Sequence, residues 1–288
     1  MTILYKDMDA ETLEAEYNVR QRRGGGFDEL AKSWIARSAQ LRKAPGVRVD
    51  IAYGSGVREK LDWFPGGGRK GPLLVYIHGG YWQRGDKSMY SFIADGLMKH
   101  GASIAVLNYD LTPSVSMTEI SFQIRKAIAW IWHHAHELGF SREHLFVSGH
   151  SAGGHLTAMM MSTNWPQFDN QLSLDMIRGA IPISGLYELE PLIHTSINDG
   201  PKMDINEAHA LSPCFNSPTT NAPQLVAVGG GETAEFLRQS DDYAAQYRTV
   251  DRAMERHNIE QDDHFDELDR LSNAGSVFFD KVIGFISK

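Results

Sequence analysis

A serine between two glycines is the most chemically informative part of this sequence. The pentapeptide Gly149-His150-Ser151-Ala152-Gly153 follows residues 144–148, which are predicted to form a short buried strand. It precedes residues 152–163, whose small and apolar side chains predict a helix. A sharp strand-to-helix turn of this kind exposes the serine hydroxyl beside a helix N-terminus and is too tight for Cβ atoms at the glycine positions. The pattern predicts that Ser151 is a nucleophile and that the chain is a serine hydrolase.

A second pair of glycines follows an apolar strand predicted over residues 73–77, in the string His78-Gly79-Gly80-Tyr81-Trp82. Acyl transfer needs fixed N–H donors aimed at the oxygen that gains charge, and in this architecture they come from such a loop and from the residue after the nucleophile. We therefore expect the oxyanion hole at the N–H groups of Gly79, Gly80 and Ala152. An ordinary Gly-Gly turn is the alternative, and the position of the pair relative to the serine motif favours the oxyanion hole.

A serine hydroxyl needs a base to take its proton, and in this architecture the acid and then the histidine follow the serine along the chain. The histidines after the serine are His155, His194, His209, His257 and His264. His155 lies one helical turn beyond the serine, where packing or solvent is expected, and His257 is predicted at the end of a polar helix. His264 lies in a polar loop before the C-terminal helical region, so it is the predicted base.

The acid should follow the strand predicted over residues 224–228. Glu232 comes directly after that strand and a run of three glycines, and it is the predicted acid. Glu235, Asp241 and Asp242 are competitors, but they are predicted on a helix as surface charges. Asp262 and Asp263, beside His264, are likewise interpreted as surface charges.

Two other groups could suggest different chemistry. His133, His134, His136 and Glu137 resemble a metal-ligand cluster, but no third ligand group is evident and a solvated helix end is favoured. The single cysteine, Cys214, cannot form an intramolecular disulfide and is interpreted as structural, which fits a reducing compartment. We expect no metal and no cofactor.

The elements that position these residues alternate along the chain. Strands are predicted at 47–53, 60–64, 73–77, 103–108, 144–148, 179–184 and 224–228, and helices at 9–42, 88–99, 117–138, 152–163, 234–257 and 272–286. Such alternation is typical of an α/β fold with a mostly parallel sheet covered by helices on both faces, with ligands at the carboxyl ends of the strands. We expect one domain, in which a helical segment over residues 1–45 packs on or caps a catalytic domain over residues 46–288.

Composition limits the partners. The chain has 288 residues, a net charge of −8 and no basic stripe, so we expect no nucleic-acid ligand. No apolar run is long enough to cross a membrane, and the N-terminus lacks a secretory pattern, so we expect a cytoplasmic protein. The oligomeric state stays open, with a homodimer as one option.

The chain resembles the kynurenine formamidase (arylformamidase) branch of the α/β-hydrolase superfamily, close to the hormone-sensitive-lipase-like esterases. The matching segments are residues 78–83, 108–113, 149–156, 183–192, 235–240 and 264–265. The most discriminating pieces are Tyr81-Trp82 after the glycine pair and the string that begins Glu235-Phe236. The family's acid is usually aspartate, which maps onto Glu232, and residues 258–263 are less apolar than the strand the family has there.

The resemblance implies hydrolysis of N-formylkynurenine to kynurenine and formate, a step of tryptophan catabolism, by Ser151, His264 and Glu232. The small-molecule aryl substrate would lie against Tyr81, Trp82 and Tyr109. The alternative enzyme is a carboxylesterase or amidase that acts on other aryl esters, amides or carbamates. A catalytically inactive ligand-binding module is disfavoured because the predicted base is present.

Overall fold

The computed structural model describes residues 2–288, and its centre is an eight-stranded sheet. The strands lie in the order β1-β2-β4-β3-β5-β6-β7-β8. β1 and β2 form an antiparallel edge, and β2 is antiparallel to β4, whereas all neighbours from β4 onward are parallel. The strands are β1 Arg48–Ala52, β2 Lys60–Phe64, β3 Leu73–Ile77, β4 Ser103–Leu107, β5 Leu145–His150, β6 Gly179–Ile183, β7 Gln224–Gly229 and β8 Met254–Ile259.

Helices cover both faces of this sheet, so the predicted fold class is confirmed. In β3, Leu73, Val75 and Ile77 belong to one buried apolar cluster and Leu74 and Tyr76 to another, as expected for a strand that is covered on both faces. The helices are α1 Ala10–Tyr17, α2 Val19–Arg23, α3 Gly26–Leu41, α4 Lys87–Tyr90, α5 Ala94–Lys99, α6 Met117–His133, α7 Ala135–Leu138, α8 Ala152–Met161, α9 Trp165–Phe168, α10 Ile205–Ala210, α11 Ala234–Tyr247, α12 Glu267–Ser272 and α13 Val277–Ile286. No helix within residues 2–288 is both long and apolar enough to span a bilayer.

The N-terminal helices are joined to the rest of the molecule by side chains from α3. Trp34 is buried and stacks on Phe92, with ring centroids 5.5 Å apart. Ser38 Oγ donates to the carbonyl oxygen of Met89 at 2.9 Å, and Arg42 Nε donates to the buried carboxylate of Asp62 at 2.7 Å. These contacts fix α3 beside the carboxyl ends of the central strands.

The prediction of one helix over residues 234–257 is wrong. The helix ends at Tyr247, and Met254–Ile259 forms β8, which pairs in parallel with β7. Between its buried ends β8 carries only polar side chains, because it is an edge strand whose middle is partly exposed, so the sequence holds no apolar strand pattern there. His257 therefore lies on a strand, where its ring stacks on Phe278, and not at a helix end.

Candidate active site

The serine motif forms the predicted strand-to-helix turn between β5 and α8. Ser151 has φ 57° and ψ −120°, a conformation that costs a non-glycine residue about 1–3 kcal/mol. A Cβ at Gly149 would overlap the carbonyl oxygen of Gly153 and lie 2.7 Å from that of Ile77. The Ser151 N–H donates to the carbonyl oxygen of Ile183 at 2.9 Å, which ties the turn to the neighbouring strand β6. The sheet thus holds this serine in a strained backbone conformation.

Ser151 and His264 line the same cavity, which has a volume of about 550 Å³. The cavity lies at the carboxyl ends of β3 and β5, where Gly80, Tyr81 and His150 also line it. The Nε2 atom of His264 forms no hydrogen bond to a protein acceptor in the described part of the chain, and neither does Ser151 Oγ. Catalytic hydrogen bonds are often formed only when substrate binds, so this arrangement is compatible with proton transfer between the two groups.

The imidazole of His264 is oriented by Glu232. His264 Nδ1 donates to Glu232 Oε1 at 2.5 Å, and the two side chains are only 4% and 1% exposed. The rings of Phe236 and Phe265 lie edge-on to the imidazole, with centroids 4.8 Å and 5.2 Å away. The contact with the carboxylate places the proton of the neutral imidazole on Nδ1 and leaves Nε2 able to accept one.

The three other candidate acids are engaged elsewhere. Glu235 accepts from the Tyr17 hydroxyl at 2.6 Å and pairs with Arg238. Asp241 pairs with Arg256 at 2.7 Å, and Asp242 pairs with Arg238 at 2.8 Å. Glu232 is therefore the carboxylate that the structure brings to the His264 ring.

The glycine pair lies directly beside the serine. A Cβ at Gly79 would be 2.8 Å from the carbonyl oxygen of His150 and 3.1 Å from Ser151 Cβ, and Gly80 has φ +118°. Within residues 2–288, the N–H groups of Gly79, Gly80 and Ala152 donate to no protein acceptor. These three N–H groups are therefore left without a protein acceptor close to Ser151 in the described part of the chain.

Behind the glycines, His78 stacks on Tyr109 with ring centroids 4.4 Å apart, and its Nδ1 donates to the carbonyl oxygen of Gly79 at 2.8 Å. Burial lowers the pKa of His78 to about 4, so this ring is neutral at pH 7. His78 thus contributes packing and one hydrogen bond to the loop without adding a charge behind the cavity.

Two buried side chains that the sequence did not single out lie against this centre. His150 Nε2 donates to the backbone carbonyl of His264 at 2.6 Å. Burial, together with the neighbouring His264, lowers the pKa of His150 well below its usual value. Glu267 is fully buried, and its Oε1 accepts from Ser184 Oγ at 2.6 Å and from the Gly229 N–H at 2.8 Å. His150 could have been noticed as the variable position beside the serine, whereas Glu267 has no local sequence signal.

Comparisons with known proteins identify the family of this centre. The BD-FAE family model matches residues 64–226, more than half of the chain. The kynurenine formamidase of Salmo salar is 31% identical over 93% of both chains, and that of Danio rerio is 29% identical over 99% of both. The crystal structure of a candidate thioesterase from Silicibacter sp. TM1040 superposes with a TM-score of 0.82 at 31% identity, covering 96% of this chain and 99% of that one. The chain belongs to the kynurenine formamidase-like α/β-hydrolases.

In this hydrolase the aromatic wall of the cavity differs from the expected one. Tyr81 lines the cavity, whereas Trp82 and Tyr109, which were expected there, are not among the residues that line it. Trp82 is fully buried with its ring edge-on to His155, and Tyr109 is buried against His78, to whose carbonyl oxygen its hydroxyl donates at 2.8 Å. Trp82 from the glycine loop and Tyr109 from the loop after β4 therefore pack in the core behind the cavity.

The N-terminal helices supply the aromatic surface instead. Phe27 and Trp34 from α3 line the cavity together with Phe265. Their sequence gives no sign of this, because it depends on how the N-terminal helices pack against the rest of the molecule. The Tyr81 hydroxyl donates to the carbonyl oxygen of Tyr17, at the end of α1. The Tyr17 hydroxyl in turn contacts Glu235 and Gln239. The string that begins Glu235-Phe236 thus anchors the N-terminal helices beside the cavity.

The remaining histidines of interest are structural. His155 is fully buried and its Nε2 donates to the carbonyl oxygen of Leu211 at 2.7 Å. His133 pairs with Asp169 at 2.8 Å on the surface. Among residues 2–288 no cluster of three or more His, Cys, Asp or Glu side chains has the arrangement of a metal site.

Proposed function

We propose that this hydrolase cleaves N-formylkynurenine, an aryl formamide, to kynurenine and formate. The observation that carries the proposal is the arrangement of three side chains: Ser151 at a strained turn, in the same cavity as His264, whose Nδ1 lies 2.5 Å from Glu232. The family relationship supports the choice of an aryl formamide, because two relatives that match nearly the whole chain are kynurenine formamidases.

The proposed reaction begins when His264 Nε2 takes the proton of Ser151 and the serine oxygen attacks the formyl carbonyl carbon. Glu232 holds the imidazole in the required tautomer and stabilises the imidazolium that forms. The N–H groups of Gly79, Gly80 and Ala152 donate to the developing oxyanion, and loss of one such donor typically costs about 100- to 1,000-fold in rate. His264 then gives its proton to the departing aryl amine, which leaves a formyl ester on Ser151.

Water completes the cycle. His264 accepts a proton from the attacking water, the tetrahedral intermediate collapses, and formate leaves as Ser151 regains its proton. An aryl amine leaves more readily than an alkyl amine, so the aromatic group assists both recognition and the first step. The chemistry needs only these side chains and backbone donors.

The walls of the cavity suit the rest of the substrate. Phe27, Trp34, Tyr81 and Phe265 offer aromatic surface to the aryl ring. Lys32 and Arg84 also line the cavity, and within the described residues neither forms an ion pair. A free carboxylate, such as the one on the amino-acid end of N-formylkynurenine, would satisfy these cations.

The N-terminal segment, residues 1–45, is proposed to act as a cap on the catalytic domain formed by residues 46–288. Phe27 and Trp34 are part of this segment and would contact the aryl group directly. The proposed location is the cytoplasm, where a chain with a single cysteine needs no disulfide. The proposed pathway is tryptophan catabolism.

A carboxylesterase or amidase of other aryl substrates is the second candidate. The candidate thioesterase of similar structure favours it, since the same serine, histidine and backbone donors serve any activated acyl group. The two candidate activities differ in the leaving group: a formamidase expels the aryl amine of kynurenine, whereas the esterase or amidase expels the leaving group of another aryl substrate.

The deciding experiment compares kcat/KM for N-formylkynurenine with kcat/KM for p-nitrophenyl acetate, using the purified full chain. We expect the formamide to be the far better substrate. Ser151→Ala should abolish both activities and the covalent labelling by a fluorophosphonate. The reverse ranking of substrates would favour the esterase, and labelling that persists in the variant would remove Ser151 from the mechanism.

A further inference from the structure

We propose that Glu267 is a protonated positioning residue, whose carboxylic acid donates a hydrogen bond to the Glu232 carboxylate and so holds Glu232 against His264. This inference rests on the proposed function, since it concerns the same catalytic centre. It assigns a role to a buried acidic side chain that the mechanism above does not use.

The surroundings of Glu267 offer it no cation. The side chain is fully buried, and within residues 2–288 no lysine or arginine pairs with it. Its nearest basic group is His150, whose Nε2 lies 3.5 Å from Glu267 Oε2 and donates to the carbonyl oxygen of His264. Because burial keeps the His150 pKa well below its usual value, that ring is neutral and supplies no counter-charge. A buried and uncompensated carboxylate is strongly disfavoured.

The hydrogen bonds of Glu267 show which of its oxygens carries the proton. Oε1 accepts two hydrogen bonds, from Ser184 Oγ and from the Gly229 N–H, so it is the carbonyl oxygen of the acid. Oε2 is buried and has no hydrogen-bond partner that donates to it. Oε2 is therefore the oxygen left to bear a proton and to donate it.

The acceptor for this proton is Glu232, which is buried in the same site: its N–H donates to the carbonyl oxygen of Gly229 at 3.3 Å, and the N–H of Gly229 donates to Glu267 Oε1 at 2.8 Å. Two carboxyl groups that share a buried site cannot both ionise. Glu232 is the accepting member of the pair, because its Oε1 already accepts from His264 Nδ1. Burial and the neighbouring Glu232 both hold the pKa of Glu267 well above its usual value.

The position of Glu267 gives this hydrogen bond a mechanical consequence. Glu267 begins α12, three residues after His264, and through Oε1 it is bonded to residues at the carboxyl ends of β6 and β7. It therefore connects the loop that carries Glu232 to the loop that carries His264. The other titratable groups that face it are His150 from β5, Tyr76 from β3 and Tyr187 after β6.

Two substitutions distinguish a protonated Glu267, which donates a hydrogen bond, from an ionised Glu267, which cannot. Glu267→Gln keeps a neutral group that can donate to Glu232, so we expect kcat/KM within about threefold of wild type and an unshifted acid limb in the pH profile of kcat/KM. Glu267→Leu removes the donor, and loss of a hydrogen bond to a charged group corresponds to about a ten- to hundredfold loss of kcat/KM. Without that bond Glu232 is more basic, so the acid limb of Glu267→Leu should move to higher pH.

The matched control is Glu143→Gln on the exposed surface, which should leave activity and pH profile unchanged. If Glu267 were ionised in the native protein, Glu267→Gln would remove a negative charge near His264 and move the acid limb to lower pH, which would overturn the proposal. Wild-type activity and pH profile in Glu267→Leu would overturn it equally.

A second measurement does not depend on activity or on the folding of the leucine variant. The infrared difference spectrum between wild type and Glu267→Gln at neutral pH should contain the C=O stretch of a buried protonated carboxylic acid. A carboxylate band in its place would refute the protonated state. These readouts also stand apart from the proposed function, which fails if Ser151→Ala retains activity or label, or if p-nitrophenyl acetate is a better substrate than N-formylkynurenine.

Discussion

His264 Nδ1 and Glu232 Oε1 lie 2.5 Å apart, and both side chains are almost entirely buried. A charge-assisted hydrogen bond between buried partners is stronger than one at the surface, and it fixes the tautomer of the imidazole. The glutamate at this position therefore reaches the histidine despite its extra methylene relative to the aspartate expected of the family.

Glu232→Gln should lower kcat by about a thousandfold or more, because an amide neither fixes the correct tautomer nor balances the charge of the imidazolium. The loss should appear in kcat for N-formylkynurenine, while circular dichroism and thermal unfolding stay close to wild type. Asp242→Asn, a surface carboxylate from the same region, is the matched control and should retain full activity. Full activity in Glu232→Gln would assign the acid to another residue.

Lys32 and Arg84, the two unpaired cations that line the cavity, should bind the carboxylate at the amino-acid end of the substrate. An exposed ion pair contributes about 0.2–1 kcal/mol, so Arg84→Gln and Lys32→Gln are each expected to raise KM for N-formylkynurenine about two- to fivefold. The effect should fall on KM and leave kcat nearly unchanged, because the carboxylate lies far from the reacting carbonyl.

The control for this prediction is a substrate without a carboxylate. Kinetic constants for p-nitrophenyl acetate should be the same in wild type and in both variants. An equal change in KM for both substrates would show that the substitutions disturb the cavity in general. Unchanged KM for N-formylkynurenine would place its carboxylate elsewhere.

Buried neutral histidines should make the fold sensitive to acid. Burial lowers the pKa of His155 from 6.5 to about 4, so the unfolded chain binds a proton at a pH where the folded chain does not. Stability is therefore complete above the unfolded-state pKa and falls as the pH drops from about 6.5 toward 4, by up to about 3 kcal/mol for this residue.

The measurement is the free energy of unfolding in urea at several pH values. His155→Gln, which cannot be protonated, should show a smaller loss of stability between neutral and acidic pH than wild type does. His144→Gln, at an exposed position, should leave the pH dependence unchanged. A pH dependence that is identical in wild type and His155→Gln would show that the imidazole of His155 is not the group responsible.

The parts of the fold that the sequence predicted are those with a local physical cause. The continuous apolar run over residues 73–77 has to be covered on both faces, and the glycines around Ser151 are required by the contacts of that one turn. In contrast, β8 is held by its pairing with β7, and its polar middle gives no strand pattern. A strand of this kind is visible only in the assembled sheet.

In the site, too, the residues with a local sequence pattern could be predicted, and those that depend on tertiary packing could not. The sequence predicted His264 from its order after the serine and its place in a polar loop, and Glu232 from the strand before it, and the structure places the two side chains in contact. It could not give the directions of side chains within a loop, so Trp82 and Tyr109 were placed on the cavity wall when they lie beneath it. Glu267 went unnoticed because its role depends on distant loops that meet only in three dimensions.

Replacement of glycine by alanine should destabilise the protein at Gly149, in the tight turn at Ser151, and stabilise it at Gly284, in α13. Gly149→Ala would place a Cβ on the carbonyl oxygen of Gly153 and 2.7 Å from that of Ile77, and neither backbone segment can move without disturbing the sheet. We expect a loss of about 3 kcal/mol or more in the free energy of unfolding, at the upper end of what overpacking costs. Gly284 lies within α13 with no atom near its would-be Cβ, so Gly284→Ala should instead stabilise the protein by about 0.5–1 kcal/mol. Urea unfolding of the two variants beside wild type checks both signs, and equal stability of the two variants would show that the turn tolerates a side chain at Gly149.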